Sequence, residues 1–599
     1  MYFRTKTIKG TPLLQLVESF RNSEGQPRQR VVASLGDACV PEAEKSAIAQ
    51  AVTRRLHGEG DLFDSNLSAD AAHWVSHIVQ LAERSRGGRK PLDGDVIDGV
   101  LIDQVETENV VQLGPQLVAL KAWEQLGLSS MLAELGLNPS RIATAQLLVA
   151  NRFIEPLSEW ALIDWAAHTA LPELLNLRIT KTTKDRLYYT SDELFAHRKS
   201  LEKQLRSKQL DLFSLSRSVI LYDVTNTHFE GLCKRNPKAK HGKNKQKRND
   251  CRQVAVGMAF DEHGLPLAHE VFEGNMADTK TLIHMLDRLC PADCDTLKPV
   301  VVLDAGFASK ANLALLKERG YSYMINITRG SRAKYAESFD GETFEELPGR
   351  KASHKVEVKR ISDPEDPESH LVLCRSAQRR KKEKAMISNA EQRFLTDARA
   401  LSERVKKGQL KKPDVIDRKI GSLQKKHPRV PRFYTLTHGA GKLSFERDDE
   451  KVEAALKLCG DYVLKTDQNM PAEQLWDLYM SLLKAESGFR MLKGTLGLRP
   501  NYHHKEERVE GHIFISVLAY HLLSWVRQRL EAAGDEREWK TLRRLLGTHS
   551  LVTTRLPIAD GRIVILRKPS VPDAEQSRVF KILGIDWKKA CPVKKSEIK

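Results

Sequence analysis

Between residues 218 and 330 the chain alternates short apolar runs with helical periodicity, and this order restricts the fold more than any other feature. Val219-Ile220-Leu221-Tyr222-Asp223-Val224 reads as a buried strand, followed by Val254–Phe260 and Leu265–Phe272. The last two are joined by Asp261-Glu262-His263-Gly264, a hairpin signal. A helix is predicted over Thr279–Leu289, a strand over Val300–Asp304, a helix over Lys310–Arg319 and a strand over Tyr321–Ile327. The resulting order, β-β-β-α-β-α-β, predicts a mixed α/β sheet. Asp223 ends the first strand and Asp304 the fourth. In open α/β sheets ligands gather beyond the C-terminal strand ends. If those two strands are neighbours, both carboxylates meet at one edge.

A third carboxylate follows far downstream. The run Pro471–Lys493 reads as one helix with an apolar stripe of Leu475, Leu478, Leu482, Ala485, Phe489 and Leu492. Tyr479, Glu486, Arg490 and Lys493 share a face, because offsets of 4 and 7 nearly close whole turns at about 100° per residue. Glu486 is therefore expected to border the buried side, where a carboxylate needs a compensating cation or hydrogen-bond network. Gly494 stands where a helix stop is expected. Three converging carboxylates suit Mg²⁺ or Mn²⁺, which favour hard oxygen ligands. Two such ions about 3.5–4 Å apart activate a water or a 3′-hydroxyl and stabilise the leaving oxygen.

Six segments are expected along the chain. Residues 1–110 are a β-rich then helical region, with strands at Tyr2–Ile8, Leu13–Arg21 and Gln29–Leu35; residues 111–215 are helical, including Ala143–Phe153 and Asp192–Lys208. Residues 216–330 begin the catalytic core, 331–455 form a β-rich and helical insertion, 456–530 complete the core, and 531–599 are a C-terminal region with a hairpin across Gly561. The insertion is expected to hold strands at Lys355–Arg360 and His370–Cys374 and a polar helix from Ala377 to Lys407.

The net charge of +18 and pI of about 9.4 favour a polyanionic partner, nucleic acid before membrane. The first ten residues lack an apolar signal core, and the apolar run Ile513–Val526 is too short to span a bilayer. The eight cysteines include no Cys-x2-Cys pair, and Cys290 with Cys294 lacks a second ligand pair for zinc, so reduced thiols and a cytoplasmic location are expected.

Tyr479-x2-Leu482-x3-Glu486-x6-Lys493 resembles the Tyr-x2-Arg-x3-Glu-x6-Lys signature of bacterial insertion-sequence DDE transposases, in the superfamily with a long β-rich insertion before the Glu. Asp223-Val224-Thr225-Asn226 and Asp304-Ala305-Gly306-Phe307 resemble its first and second Asp motifs. Gly274–Thr281 is similar to a further segment. The resemblance covers roughly 218–330 and 455–526. It implies a ribonuclease-H-like core that cleaves DNA at the element ends and drives strand transfer by the freed 3′-hydroxyl. Asp223, Asp304 and Glu486 would be catalytic and would hold two Mg²⁺ or Mn²⁺ ions; Tyr479 and Lys493 would contact DNA phosphates. The signature arginine is Leu482 here, which leaves Arg490 and Arg499 as candidates for its role. The implied partners are double-stranded DNA, both terminal repeats and target, and a second copy of the chain, in a nucleoid-associated enzyme. Rival readings are a nuclease of the same fold that only hydrolyses, and a non-catalytic DNA-binding descendant.

The segment Lys234–Arg252 is expected to be a flexible loop whose Lys243, Lys245, Lys247 and Arg248 track the DNA backbone. Basic clusters at Arg379–Lys384 and Lys406–Lys412 read more weakly, since charged helix faces are common. His503 and His504 lack metal-ligand spacing and read as polar packing or DNA contact, while His512, His521, Trp476 and Trp525 read as core. No helix-turn-helix stands out, so residues 1–110 and 114–210 are candidates by position for reading the element ends.

Overall fold

A computed structural model describes residues 1–8, 11–21, 26–36, 40–56, 67–86, 96–213, 219–242, 248–289, 298–328, 330–340, 343–347, 355–439 and 441–598. The chain forms two compact units. One comprises Met1–Asn109, Val552–Lys568 and Val593–Lys599; the other comprises Val110–Leu551 and Pro569–Pro592. Lys243, Lys245, Lys247, Cys290 and Cys294 lie outside the described residues.

In the first unit β1 (Tyr2–Ile8), β2 (Thr11–Arg21) and β3 (Pro27–Gly36) form an antiparallel sheet. Leu14 and Leu16, two apart and so on one face, bury against α1 (Lys45–Leu56) and α2 (Ala69–Arg86) through Ile48, Val52, Val75 and Ile78. A ribbon of β4 (Val96–Ile97) and β5 (Val100–Leu101) follows, then β6 (Glu106–Gln112).

The second unit opens with α3 (Gly114–Gln125), α4 (Leu128–Glu134), α5 (Pro139–Ile154), α6 (Glu159–Ala167), α7 (Leu171–Leu174), α8 (Lys184–Ala196) and α9 (Arg198–Phe213). Local sequence sets the starts: Asn138 accepts from the Arg141 N–H with Pro139 behind it, and Ser158 and Thr183 cap α6 and α8 in the same way. The single helix expected over Asp192–Lys208 is two, divided at His197.

The core strands are β7 (Val219–His228), β8 (Gln253–Phe260), β9 (Pro266–Glu273), β10 (Val300–Leu303) and β11 (Ser322–Asn326), with α10 (Leu282–Leu289) and α11 (Lys310–Glu318) between the later ones. Three more strands, β12 (Glu345–Glu346), β13 (Val356–Asp363) and β14 (Asp366–Ser376), precede α12 (Ala377–Lys406), α13 (Pro413–Lys426), the hairpin of β15 (Tyr434–Gly439) and β16 (Lys442–Arg447), α14 (Asp449–Lys457) and β17 (Asp461–Thr466). The sheet order is β12-β13-β14-β17-β11-β10-β7-β8-β9. β10 runs parallel to both β7 and β11, while β7, β8 and β9 are antiparallel. The five core strands thus lie 3-2-1-4-5 in chain order, a ribonuclease-H-like arrangement. The sheet also continues into the segment expected as an insertion, because β14 pairs with β17. Beyond it, α12, α13 and β15 bury a small core of their own around Phe394, Ile420 and Phe433.

The chain continues through α15 (Ala472–Met480), α16 (Leu482–Gly494), α17 (Glu506–Ala532), α18 (Trp539–Leu546), β18 (Ser550–Pro557), β19 (Ile563–Pro569), α19 (Ala574–Leu583) and β20 (Lys594–Ile598). The expected hairpin across Gly561 is present as β18–β19. Period-two alternation divides the core sheet's faces. Leu221, Met258, Phe260 and Val302 pack toward the core that holds α16 and α17, whereas Ile220, Tyr222, Val301 and Leu303 pack toward α10. α17 is longer than its apolar run suggests and is long and apolar enough to cross a membrane, yet its most apolar stretch is wholly buried inside the molecule. It is a core helix, apolar all round because it is enclosed all round.

Candidate active site

The register of β7 against β10 sets the first two carboxylates. Leu303 pairs with Tyr222, so Asp304, one step past the strand, stands beside Asp223. Asp223 shares its face with Leu221 and Thr225, and Asp304 continues the alternation from Val302 with extended backbone. Both carboxylates therefore stand on the face covered by α16. Asp223 is half-buried and accepts from the Val224 N–H at 2.7 Å; Asp304 is exposed. Beneath them Tyr222 is buried, and its hydroxyl donates to Thr281 Oγ1 at 2.8 Å. Burial raises its phenol well above the ordinary value, with the Asp223 and Asp278 carboxylates adding to the rise. Gly257 leaves room for this ring: a Cβ there would lie 2.5 Å from the Tyr222 hydroxyl. Phe307, in the turn after Asp304, packs on Tyr222 with ring centroids 5.3 Å apart. Asp278 reaches the same turn, its Oδ2 lying 3.8 Å from where a Cβ on Gly306 would stand. The sequence pattern points to its segment without singling out this carboxylate.

Glu486 lies on α16, whose buried residues Leu482, Ala485, Phe489 and Leu492 follow the expected stripe. Phe489 meets Phe260 edge-on at 5.5 Å. Glu486 itself is exposed, so the expectation of a carboxylate bordering the core and needing compensation is corrected: the helix turns it to solvent. The helix also differs from the single run expected. It breaks at Ser481 into α15 and α16, and Gly494 closes its last turn rather than following it. Tyr479 therefore belongs to the preceding helix. Its hydroxyl accepts from Asn326 Nδ2 at 3.0 Å, at the end of β11. Burial pushes its phenol up to about 12, and the Asp304 and Glu486 carboxylates both add to the rise. Tyr479 thus stands in the field of the second and third carboxylates together. Leu482 is 7 % exposed and packs into the main core, which explains why the signature arginine has no place there: a cation would be buried.

Lys493 Nζ donates to Thr225 Oγ1 at 3.0 Å and so ties α16 to β7 two residues past Asp223. An ammonium has three donors, so this contact is compatible with a phosphate on another. Arg490 is exposed and lines a cleft of ≈ 260 Å³ with Arg527, Glu531 and Trp539. Arg499 is half-buried, and its Nη1 is enclosed without a hydrogen-bond partner. Arg248 is already paired with Asp250 at 2.9 Å and lies 3.7 Å from Glu230. The flexible loop expected over Lys234–Arg252 is in part a packed segment. Lys240 exchanges both backbone hydrogen bonds with Gln253, Gly274 donates to Lys238, and Asn236 and Ala239 are buried.

One cluster is not foreshadowed by the sequence pattern. Glu159, His503 and His512 bring donor atoms within 4.8 Å of one another. His503 Nε2 lies 3.3 Å from Glu159 Oε1, and Arg152 Nη2 lies 3.3 Å from His512 Nδ1. Burial alone would raise the Glu159 carboxyl, but His503 and His512 outweigh it and hold it at about 2. The buried Arg152 guanidinium already supplies positive charge here, so a dication is disfavoured and the group reads as a buried polar network. Among the described residues the Asp223–Asp304–Glu486 set does not form so tight a group.

The family model for the transposase DDE domain matches residues 214–522, and that for the IS1634 family transposase N-terminal domain matches residues 3–59. No curated protein matches. Among solved structures, the cryo-EM structure of piggyBac transposase synaptic complex with hairpin DNA aligns with a TM-score of 0.34 and 10% identity, covering 68% of this chain and 70% of that one.

Proposed function

Because the chain belongs to the transposase DDE domain family, we propose that it cuts DNA at insertion-sequence ends through Asp223, Asp304 and Glu486 and joins the freed 3′-hydroxyl to target DNA. That it is a DNA transposase follows from the family; the residue roles and the two-metal chemistry are our reading. The observation that supports it most is the register of β7 and β10, which sets Asp223 beside Asp304 on the face that α16 covers. Enzymes of this family work with divalent metal ions. The three side chains offer only carboxylate oxygens, with no His or Cys among them, and this donor set suits Mg²⁺, with Mn²⁺ as a substitute. Bound there, two such ions would supply charge stabilisation for the attacking and leaving oxygens. The protein's own part is positioning. The sheet fixes the two aspartates, Lys493 and Phe489 fix the α16 helix, and on our reading Tyr479, Lys493, Arg490 and Arg499 contact phosphates. Two ends must be cut and joined together, so we propose that a homodimer acts on the DNA, within the cytoplasm.

The test is single substitution, Asp223→Asn, Asp304→Asn or Glu486→Gln, assayed on labelled end duplexes with Mg²⁺ or Mn²⁺. Each is expected to lower cleavage by more than about 100-fold, since even partners outside a metal's own ligands cost 10–100-fold, while duplex binding persists. Wild-type cleavage by any one removes that residue from the set. Strand-transfer products from pre-cut ends separate this reading from a nuclease that only hydrolyses.

A further inference from the structure

Residues 377–433 carry 18 Lys and Arg against 6 Asp and Glu, so most of the chain's excess of +18 sits in one short stretch of the inserted segment. The fold wraps this stretch around a cleft of ≈ 610 Å³. Met386 and Ile387 of α12 and the buried Phe433 form an apolar wall, and Arg429 and Arg432 stand exposed at its rim. A second hollow of ≈ 490 Å³ shares Met386 and Arg429 with the first and extends along α12 to Arg393. Neighbouring charges are spoken for: Lys426 pairs with Asp397 at 2.6 Å, Lys451 with Asp448 at 2.7 Å, and Glu383 with Arg379 at 3.1 Å. Among the described residues, Arg393, Arg429 and Arg432 make no ion pair, although the Arg432 guanidinium lies 4.6 Å from the Phe433 ring centroid.

Two lining residues connect the cleft to the core sheet and α15. Gly330, which lines it, comes four residues after Asn326, the residue that holds the Tyr479 hydroxyl. Arg379, which anchors Glu383 in the cleft wall, lies over the Tyr462 ring at 4.7 Å, and the Tyr462 hydroxyl accepts from Trp476 of α15 at 2.7 Å. An apolar wall with a rim of unpaired guanidinium groups fits a chain of phosphates carrying flat apolar groups. An apolar wall of this kind can stack only on base faces that are not already paired and stacked within a duplex.

We propose that this cleft is a seat for an unpaired DNA strand leaving the cut site, with Arg429, Arg432 and Arg393 on its phosphates and Met386, Ile387 and Phe433 beneath its bases. The inference rests on the DNA-cutting reading above and extends it to a surface that reading does not use. The test measures binding of labelled oligothymidine, and separately of duplex, by fluorescence anisotropy across about 50–200 mM NaCl, with the full chain. Each phosphate contact on a single strand contributes about 0.7 to the salt slope. The double variant Arg429→Ala/Arg432→Ala is therefore expected to flatten the single-strand slope by about 1.4, and Arg393→Ala by about 0.7. A control pair on a different helix, Lys588→Ala/Lys589→Ala, is expected to leave it unchanged. Wild-type slopes in the double variant overturn the proposal, as does a loss confined to duplex. Thermal melting matched to wild type verifies the fold. Arg393→Ala, on a different element, tests the seat independently should the double variant melt early. Metal-dependent duplex cleavage by the wild-type chain tests the parent reading separately, so the two can fail apart.

Discussion

The contact between Lys493 and Thr225 is a single hydrogen bond, yet it joins the helix of the third carboxylate to the strand of the first. A hydrogen bond to a charged group contributes about 1.5–3 kcal/mol when shielded, and Lys493 is only half-buried, so about 1 kcal/mol is expected from either Lys493→Ala or Thr225→Val. Chemical denaturation of the two single variants and the double should show the double no less stable than the worse single. Strict additivity would deny the bond. If the anchor positions Glu486, Thr225→Val also lowers cleavage, although it removes no charge that DNA could meet. At this scale the two aspartates were legible, because each follows an apolar run that reads as a strand; the expectation that Asp223 ends its strand is corrected, since β7 pairs on with β8 as far as His228 and leaves Asp223 in mid-strand. Asp278 was not, since only folding brings residue 278 to the turn at Gly306. Nor was the Glu159–His503–His512 network, whose members lie at opposite ends of the core in sequence and share no local pattern.

The α16 helix is seated by a glycine. A Cβ on Gly488 would lie 2.8 Å from the Tyr520 hydroxyl and 2.9 Å from the Phe260 ring, so the helix approaches α17 and β8 more closely than any side chain allows. Gly488→Ala gains up to about 1 kcal/mol of helix propensity. Overpacking costs about 1–3 kcal/mol, and it wins here because the obstacles are ring atoms in a filled core. A lower melting temperature and a larger loss of cleavage than of DNA binding are expected; a stabilised variant would show that the core yields. Element existence was legible from periodicity, including all five core strands and the long α12. The break at Ser481 was not, because that residue keeps helical dihedrals, φ −59° and ψ −23°, and the apolar stripe runs on across it. The division of α8 from α9 at His197 escaped in the same way, since the chain turns there without a proline or glycine.

Across the whole second unit, a buried charge network binds the helical layer to the sheet. Glu202 of α9 is 2 % exposed and meets His269 of β9 at 2.5 Å and Arg288 of α10 at 2.6 Å, while Arg198 lies 3.3 Å from Glu270 and 3.7 Å from Glu510 of α17. Burial alone would raise the Glu202 carboxyl, but His269, Arg288 and Arg198 outweigh it and hold it below the ordinary range. A depressed carboxylate contributes stability that is present above its unfolded value of about 4.3 and lost as pH falls through the folded value. Glu202→Gln is expected to cost about 3–5 kcal/mol at neutral pH, because it strands buried cations, and less in acid. Denaturation at pH 7 and at about pH 2, well below the unfolded value, checks this; an equal loss at both would assign the effect to packing. The sequence did not display this network, since buried and solvated charges look alike until a partner is known.

The order in which the sheet is strung has a consequence for synthesis. β17 reaches the sheet only after the whole insertion has been made, and the residues that follow it carry the last carboxylate. A polypeptide still emerging from the ribosome, or one that stops short of residue 486, holds both aspartates but lacks the third acid and the helix that bears it. On our reading of the site, an interrupted copy is therefore inert toward the genome that encodes it, and the power to cut arrives only once α16 has been made.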